Sequence, residues 1–477
     1  MNDKQEEAGG TSWSELLSPS YSAAILTLCL GVALFAFNGF LVSTSLPTAV
    51  REIGGLELIS WAFTLYLVLS IVGGASGALL KARVGARTAL VASALVFLAG
   101  TLLAAFAGSM TEVLVGRALQ GLGEGIIAAI CYALIPELFP SRLVAKVFGA
   151  EAVVWAVAAF GGPLISGLLT EHLSWRAAFL VNVPLALIFI ALVFLIVPRF
   201  SGEVARLSVP FLRLAAIGCG IMLVALASIM QVVAMEVLCV VGAAVVLALV
   251  IVVDRRSRTP LFPSDAFAFN STVGIGLWIV LLMPVAQAST SVYLVMTLQD
   301  LWDYGPTKAG AFSATFAIAW STCAIVVANI QDPRRRAWLI RLGPTLLVAG
   351  LATIVAGFSV DRPLVVMLGQ IAIGTGFGVS WGFLSQSVME SARSGERDRA
   401  SALLPTLQSA GYAIGAAVAG LVANAVGYPE ATTPDALRDA TIIVFSVSTI
   451  IGLGAFAAGF ALPMKKKGVL LTALPKN

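Results

Sequence analysis

Two acids and one base of this 477-residue chain, Glu124, Glu151 and Arg117, sit inside long apolar stretches. If those stretches lie in lipid, each charge costs about 2.5–3.5 kcal/mol at a helix centre, so such residues face a cavity or a partner and carry function. Arg117, Gln120 and Glu124 are spaced three and four apart. On a helix that spacing puts them on one face, with the outer two about 10 Å apart along the axis. A carboxylate reached alternately from two sides can load and unload a proton, since desolvation opposes its charge and a nearby cation favours it. The alternative for Glu124 is structural pairing with a polar group that holds helices in register. Glu151, about one turn into its stretch, is expected to act as a gate or to pair with a loop base such as Arg142 or Lys146.

Other chemistry finds little support. His172 is the single histidine, and Cys29, Cys131, Cys219, Cys239 and Cys323 are scattered one by one through apolar runs. A metal site needs converging ligands, so none is expected, nor a disulfide framework. No phosphate-binding GxxxxGK[ST] loop occurs, and no His, Cys or paired-acid constellation shares one depth. The expectation is a protein that is not an enzyme and carries no cofactor.

The elements that must position these residues follow from composition. Hydrophobic residues make up 59% of the chain and charged ones 11%, with a mean hydropathy of +0.97, whereas a soluble domain is about 25% charged. This excludes a soluble enzyme, a disordered chain and a nucleic-acid binder, and makes the lipid bilayer the first partner. Residues 1–20 are polar and acidic and the first apolar run is too long for a signal core, so that run is expected to stay as an anchor.

Apolar stretches near 20 residues, the length that crosses a bilayer core, fall at 22–46, 59–80, 88–107, 112–136, 147–169, 176–197, 211–231, 235–253, 271–296, 307–328, 338–358, 363–386, 400–427 and 439–463. Fourteen spans put both termini on one side. Of the 29 Lys and Arg, 23 then fall in the segments on that side and five in the opposite loops, with Arg117 inside a span. Positive charge marks the cytoplasmic face, so the termini are expected there and the chain in a cytoplasmic (inner) membrane.

An internal repeat divides the chain. Gly116, Gly121, Gly123 and Gly125 in the fourth span recur as Gly369, Gly374, Gly376 and Gly378 in the twelfth, at an offset of 253. The same offset carries Glu137 to Glu390, Gly162 to Gly415 and Gly167 to Gly420. The expected all-α organisation is an N-terminal tail (1–21), a six-helix bundle (22–197), a linker with two extra spans (198–270), a related six-helix bundle (271–463) and a basic tail (464–477). Parallel halves related by an axis along the membrane normal place a substrate site between them near the midplane.

The motifs on this frame resemble the 14-span drug:proton antiporter branch of the major facilitator superfamily. The fourth-span pattern R-x-x-Q-G-x-G stands as Arg117, Gln120, Gly121 and Gly123. The fifth-span pattern G-P-x-x-G-G stands as Gly162, Pro163, Ser166 and Gly167, with serine for one glycine. Trp61, Tyr66 and Leu67, the run Trp175, Arg176, Phe179, Asn182 and Pro184, and Tyr293, Leu298, Gln299, Ala309 and Gly310 are further similarities. Two positions depart from it. Asn38 stands where the family carries a first-span aspartate, and Ala82 where it carries a loop aspartate beside Arg83 and Arg87.

The resemblance implies a secondary transporter, an exporter of amphipathic organic compounds in exchange for protons by alternating access. It implies that Arg117, with Gln120, assists proton transfer, and that Gly162, Pro163 and Gly167 form a conformational seal, joined as gating residues by Glu151, Arg83 and Arg87. With the first-span acid missing, Glu124 is expected to have taken over the proton. The substrate cavity is expected among Phe37, Asn38, Phe40, Trp61, Tyr66, Trp155, Trp320, Phe377, Trp381, Gln386 and Gln408, because apolar pockets with few polar groups hold amphipathic molecules. A dedicated carrier of a metabolite, siderophore or lipid, and a non-transporting receptor or scaffold on the same fold, are the competing readings. A monomer is expected.

Overall fold

The computed structural model describes residues 13–198, 211–230, 232–257, 260, 262–327, 330, 332–393 and 396–462. The beginning of the polar tail and the whole basic tail lie outside the described residues, as do the side chains of Arg142, Arg397 and Arg399.

Among the described residues, fourteen apolar helices follow a single turn at Trp13–Leu16. They are α1 Ser22–Ile53, α2 Ile59–Val84, α3 Ala86–Ala105, α4 Met110–Leu138, α5 Ser141–His172, α6 Trp175–Ile196, α7 Phe211–Ala227, α8 Val233–Arg255, α9 Thr272–Trp302, α10 Pro306–Val327, α11 Pro333–Ser359, α12 Pro363–Ser391, α13 Arg397–Ala425 and α14 Pro434–Ala461. Thirteen are long enough to cross a membrane, and the seventh expected span is the shorter Phe211–Ala227. Residues with special backbone freedom punctuate them. Gly54 and Gly55 follow α1, and Gly85 makes the one-residue turn between α2 and α3, all with positive φ. Side-chain caps open other helices: Ser109 accepts from Glu112 N at α4, Ser271 from Gly274 N at α9 and Thr433 from Ala436 N at α14. Within α9, residues Thr290–Leu294 form a π-helical turn.

The repeat is a repeat of contacts. α4 packs against α2 and α3, and α12 packs in the same way against α10 and α11. α1 lies on α5 and α3 on α6, as α9 lies on α13 and α11 on α14. The glycines account for this, because without a hydrophobic drive between helices in lipid, close backbone packing does the work. A Cβ on Gly116 would lie 2.7 Å from Gly100 O, and one on Gly369 2.6 Å from Gly350 O. Gly123 faces Ser93 O and Gly376 faces Gly343 O, each at 2.6 Å. Gly121 and Gly125 abut the carbonyls of Tyr66 and Ser70, and Gly374 and Gly378 those of Phe316 and Trp320. Every partner carbonyl in these pairs is displaced by 250 residues.

Two seams join the halves, α5 against α10 and α13 against α2. The hairpin of α7 and α8 lies beside the second seam, with α7 touching both α2 and α13. Its anchor is Ser228, whose hydroxyl accepts from Trp61 Nε1 at 3.4 Å and whose carbonyl accepts from Asn424 Nδ2 at 2.7 Å.

Candidate functional site

Close packing of α4 on α2 and α3 buries Arg117 completely, and burial requires that its donors be used. Nε donates to Ala62 O at 3.1 Å and Nη1 to Gln120 Oε1 at 2.9 Å, while Gln120 Nε2 donates to Thr101 Oγ1 at 2.9 Å. The guanidinium carbon sits 3.8 Å from the centre of the Tyr66 ring, a cation–π contact. Thr101, one of few polar residues in α3, is not among the residues the motifs point to; its isolation on an apolar helix is its one sequence signal.

Glu124 lies two turns further along the same face, also fully buried. Neither carboxylate oxygen accepts a hydrogen bond from a described residue, and no ion pair joins it to Arg117. Tyr66 on α2 and Asn38 on α1 are the polar side chains beside it. Asn38, itself buried, accepts from Asn182 Nδ2 on α6 at 3.5 Å. The Asn182 of the motif entering the sixth span therefore reaches the residue that replaces the expected first-span acid. The beginning of that motif is fixed differently: Trp175 Nε1 donates to Glu52 Oε2 at 2.8 Å and Arg176 to Glu52 Oε1 at 2.5 Å, tying α6 to the end of α1.

The Gly-Pro motif of α5 faces two ways. Gly162 abuts the Cβ of Phe40 on α1, and Phe37 lies by Gly161. Pro163 O abuts Gly310 on α10, and Gly167 abuts Pro306 and Thr307. Ser166, which replaces a motif glycine, is buried and donates to Leu41 O at 2.5 Å, so its side chain points to α1 and away from the seam. On the other seam, Gly420 abuts Ser60. Polar links between the halves gather at this same end: Arg51 Nε donates to Asp300 Oδ1 at 3.1 Å, Thr307 N to Glu171 Oε2 at 3.1 Å, and Asn424 Nδ2 to Glu57 O at 3.1 Å.

The expected cavity residues do not form one group. Phe35 stacks with Tyr66 at 6.4 Å and meets Trp155 edge-on at 5.7 Å, which joins Tyr66 and Trp155 through a ring not foreseen. In the other half Trp320, Phe377 and Trp381 cluster with Phe316, and Phe377 is completely buried among them. Trp61 turns to the α7 hairpin through Ser228 instead of toward the other aromatics. Gln386 bonds Arg336 and Glu390 near the end of α12, and Gln408 lies beside Tyr412 on α13. Among the gating residues, Arg83 is exposed, and Arg87 donates to Phe194 O and lies over the Phe194 ring, so it ties α3 to α6 of its own half. Lys81 pairs with Glu137 across α2 and α4. Glu151 does not pair with Lys146: both of its oxygens are buried and accept no hydrogen bond, and Arg142 lies outside the described side chains.

The chain has relatives among known proteins. A probable multidrug-efflux transporter of Mycobacterium tuberculosis is 31% identical over 442 residues, covering 89% of this chain and 92% of that protein. The multidrug efflux pump SdrM of Staphylococcus aureus is 23% identical over 400 residues, covering 83% and 88%. Among solved structures, a D-xylose-proton symporter superposes with a TM-score of 0.64 at 17% identity, covering 93% of this chain and 97% of that one. A peptide transporter does so with 0.66 at 16%, covering 93% and 96%; at such identities the likeness is one of fold. The sequence profile of the Major Facilitator Superfamily matches residues 28–416. With its two glycine-packed halves, inserted hairpin and Arg117–Gln120 pair, this multi-pass membrane chain belongs to the Major Facilitator Superfamily of transporters.

Proposed function

We propose that the chain is a proton-coupled exporter of amphipathic organic compounds, an antiporter with Glu124 as proton carrier. The observation that carries this reading is a fully buried carboxylate that accepts no hydrogen bond from a described residue, on the helix face that holds Arg117 and Gln120. A buried charge is tolerated only when paired, so a carboxylate in this setting serves as a proton store. Arg117, held by Ala62, Gln120 and Tyr66 in this state, is the cation that receives Glu124 when the proton leaves. Substrate then competes for the same acid from the opposite side, which makes exchange obligatory.

The relatives named as multidrug efflux proteins support an export role, and the aromatic rings on α1, α2 and α5 suit apolar substrates. The distribution of Lys and Arg supports both termini in the cytoplasm and a place in the inner membrane. The chain works as a monomer, without cofactor or catalytic chemistry. On this orientation the joined end of the halves is the external one, which supports reading this state as closed to the outside.

The test is proton movement on adding amphipathic compounds to proteoliposomes of wild type and Glu124→Gln. Substrate-linked proton exchange in wild type and its loss in the variant support the reading. Substrate movement without protons in wild type overturns antiport and favours a dedicated carrier.

A further inference from the structure

On the side of the membrane where the basic segments gather, several bases already meet an acid: Lys81 pairs with Glu137, Arg213 with Asp254 and Arg393 with Asp265. The start of α11 is different. Three arginines, Arg334, Arg335 and Arg336, precede its apolar stretch. Arg336 turns inward, where Nε donates to Ile330 O at 2.7 Å and Nη1 to Gln386 Oε1 at 3.4 Å. Arg334 and Arg335 are exposed. The acid beside them, Asp332, caps the helix: Oδ1 accepts from Arg334 N at 3.1 Å, and Oδ2 lies 3.8 Å from Arg335 Nε, beyond hydrogen-bond reach.

Trp338 is four residues from Arg334 and three from Arg335, so it shares their face of the helix, one turn deeper. Its ring is 60% exposed, whereas Leu339 and Ile340 on the opposite face are buried. Arg341 continues the basic face toward α14, where its Nη2 donates to Leu462 O at 3.2 Å and its guanidinium carbon lies 5.8 Å from the centre of the Phe460 ring. Phe460 is 54% exposed. From Leu462 the sequence runs on to Lys465, Lys466 and Lys467, the first only three residues away, a reach of at most about 11 Å.

Exposed guanidinium groups with exposed rings one turn further into the bilayer match the two layers of an anionic phospholipid. Its phosphate takes the guanidinium fork, and its glycerol and upper acyl chains lie against Trp338 and Phe460 at the depth that amphipathic rings favour. A zwitterionic lipid has no net charge to gain from this face, and a free phosphate has no chains for the rings. We propose that the basic and aromatic face shared by α11 and α14 binds an anionic phospholipid of the cytoplasmic leaflet. The leaflet rests on the orientation proposed above; the lipid class rests on the side chains. The site belongs to the half that lacks Glu124, and its partner is a lipid of the membrane and not the transported compound.

The test is native mass spectrometry of the purified full chain with phosphatidylglycerol and phosphatidylcholine of identical acyl chains, so that only the headgroup differs. Wild type is expected to hold phosphatidylglycerol about ten-fold more tightly. Arg334→Gln with Arg335→Gln is expected to remove most of that preference, and both positions are exposed, so the fold is kept. Arg255→Gln with Arg256→Gln takes the same charge from the exposed end of α8 and is expected to change the preference less than about two-fold. Absence of a preference in wild type, or equal loss in the two double variants, overturns the proposal, the latter in favour of a diffuse positive field. Displacement of the lipid by inorganic phosphate overturns it in favour of a free-anion site. A preference that emerges only in Glu6→Gln with Glu7→Gln assigns the face to the chain's own acidic tail and overturns it as well. None of these outcomes bears on antiport, since neither substrate nor gradient is present.

Discussion

Arg117 lies with its guanidinium carbon 3.8 Å from the centre of the Tyr66 ring, and the acid two turns along its own helix, Glu124, receives none of its donors. The arginine is satisfied by neutral groups: a backbone carbonyl, an amide oxygen and a ring face. That arrangement separates the two functions a membrane arginine can have. It holds α4 against α2 here, and in the proposed mechanism it is the cation that Glu124 meets in another state.

The first prediction concerns the shape of that cation. Arg117→Lys retains the charge but cannot donate to Ala62 O and Gln120 Oε1 while stacking on Tyr66, because an ammonium lacks the planar fork. The buried acceptors it leaves unpaired cost about 1–3 kcal/mol. We expect a lower unfolding temperature and a transport rate reduced about ten-fold or more, read in purified protein and proteoliposomes. A lysine variant that keeps both would show that charge alone is required.

The glycine contacts give a second, steric prediction. An alanine Cβ at Gly121 meets the Tyr66 carbonyl, which belongs to the backbone and cannot turn aside, while Gly39 has nothing within 4 Å. Overpacking of this kind costs about 1–3 kcal/mol. Gly121→Ala should therefore lower thermal stability and disturb the Arg117 site, and Gly374→Ala, against Phe316 O, should lower stability without touching that site. Gly39→Ala should be tolerated. Equal tolerance at Gly121 and Gly39 would remove close helix packing as the reason for the repeat.

What was legible in the sequence was what depends on backbone. Glycine spacing revealed the duplicated unit because each glycine is needed where a neighbour's carbonyl touches it, and the span pattern followed from the length needed to cross lipid. Side-chain direction was less legible. A tryptophan in an apolar helix has the same composition signal whether it faces substrate, lipid or another helix, so the sequence alone groups Trp61 with the cavity, whereas its indole turns to Ser228 of the inserted hairpin. The same limit hid Thr101 and Phe35, whose partners lie on other helices. For Glu151 the sequence leaves a loop base as partner; no described residue donates to its carboxylate, and the side chain of Arg142 lies outside the described residues.

A pH prediction rests on a loop acid. Trp302 Nε1 donates to Asp361 Oδ1 at 2.6 Å, and Arg438 Nη2 lies 3.1 Å from the same oxygen. The tryptophan hydrogen bond, then the arginine charge, hold the Asp361 carboxyl below its ordinary value. A lowered acid contributes stability above its unfolded value, about 3.9, and loses it as pH falls through the lowered folded value. Wild type should thus unfold at a higher temperature than Asp361→Asn near neutral pH, and the two should converge in strong acid. A difference that stays constant across that range would assign the effect to shape instead of charge.

The last prediction separates what seals the joined end of the halves. The Arg51–Asp300 pair bridges α1 and α9 with side chains 42% and 27% exposed, and a pair so open to solvent is worth about 0.2–1 kcal/mol. At about 1.4 kcal/mol per factor of ten, its loss shifts an opening equilibrium less than about six-fold. The packing contact is stiffer, since a Cβ on Gly167 would lie 2.7 Å from both Pro306 O and Thr307 Cα, backbone atoms of α10. Thr44, fully buried beside Gly310, reports on that end as Thr44→Cys labelled by a membrane-impermeant thiol reagent. Asp300→Asn should raise the labelling rate a few-fold at low salt and hardly at all at high salt, where screening already weakens the pair. Gly167→Ala should raise it more, at either salt concentration, because steric exclusion is not screened. If Asp300→Asn opens the end more than Gly167→Ala does, the seal is electrostatic, and the close approach of α5 and α10 at Gly167 is a consequence of closure and not its cause.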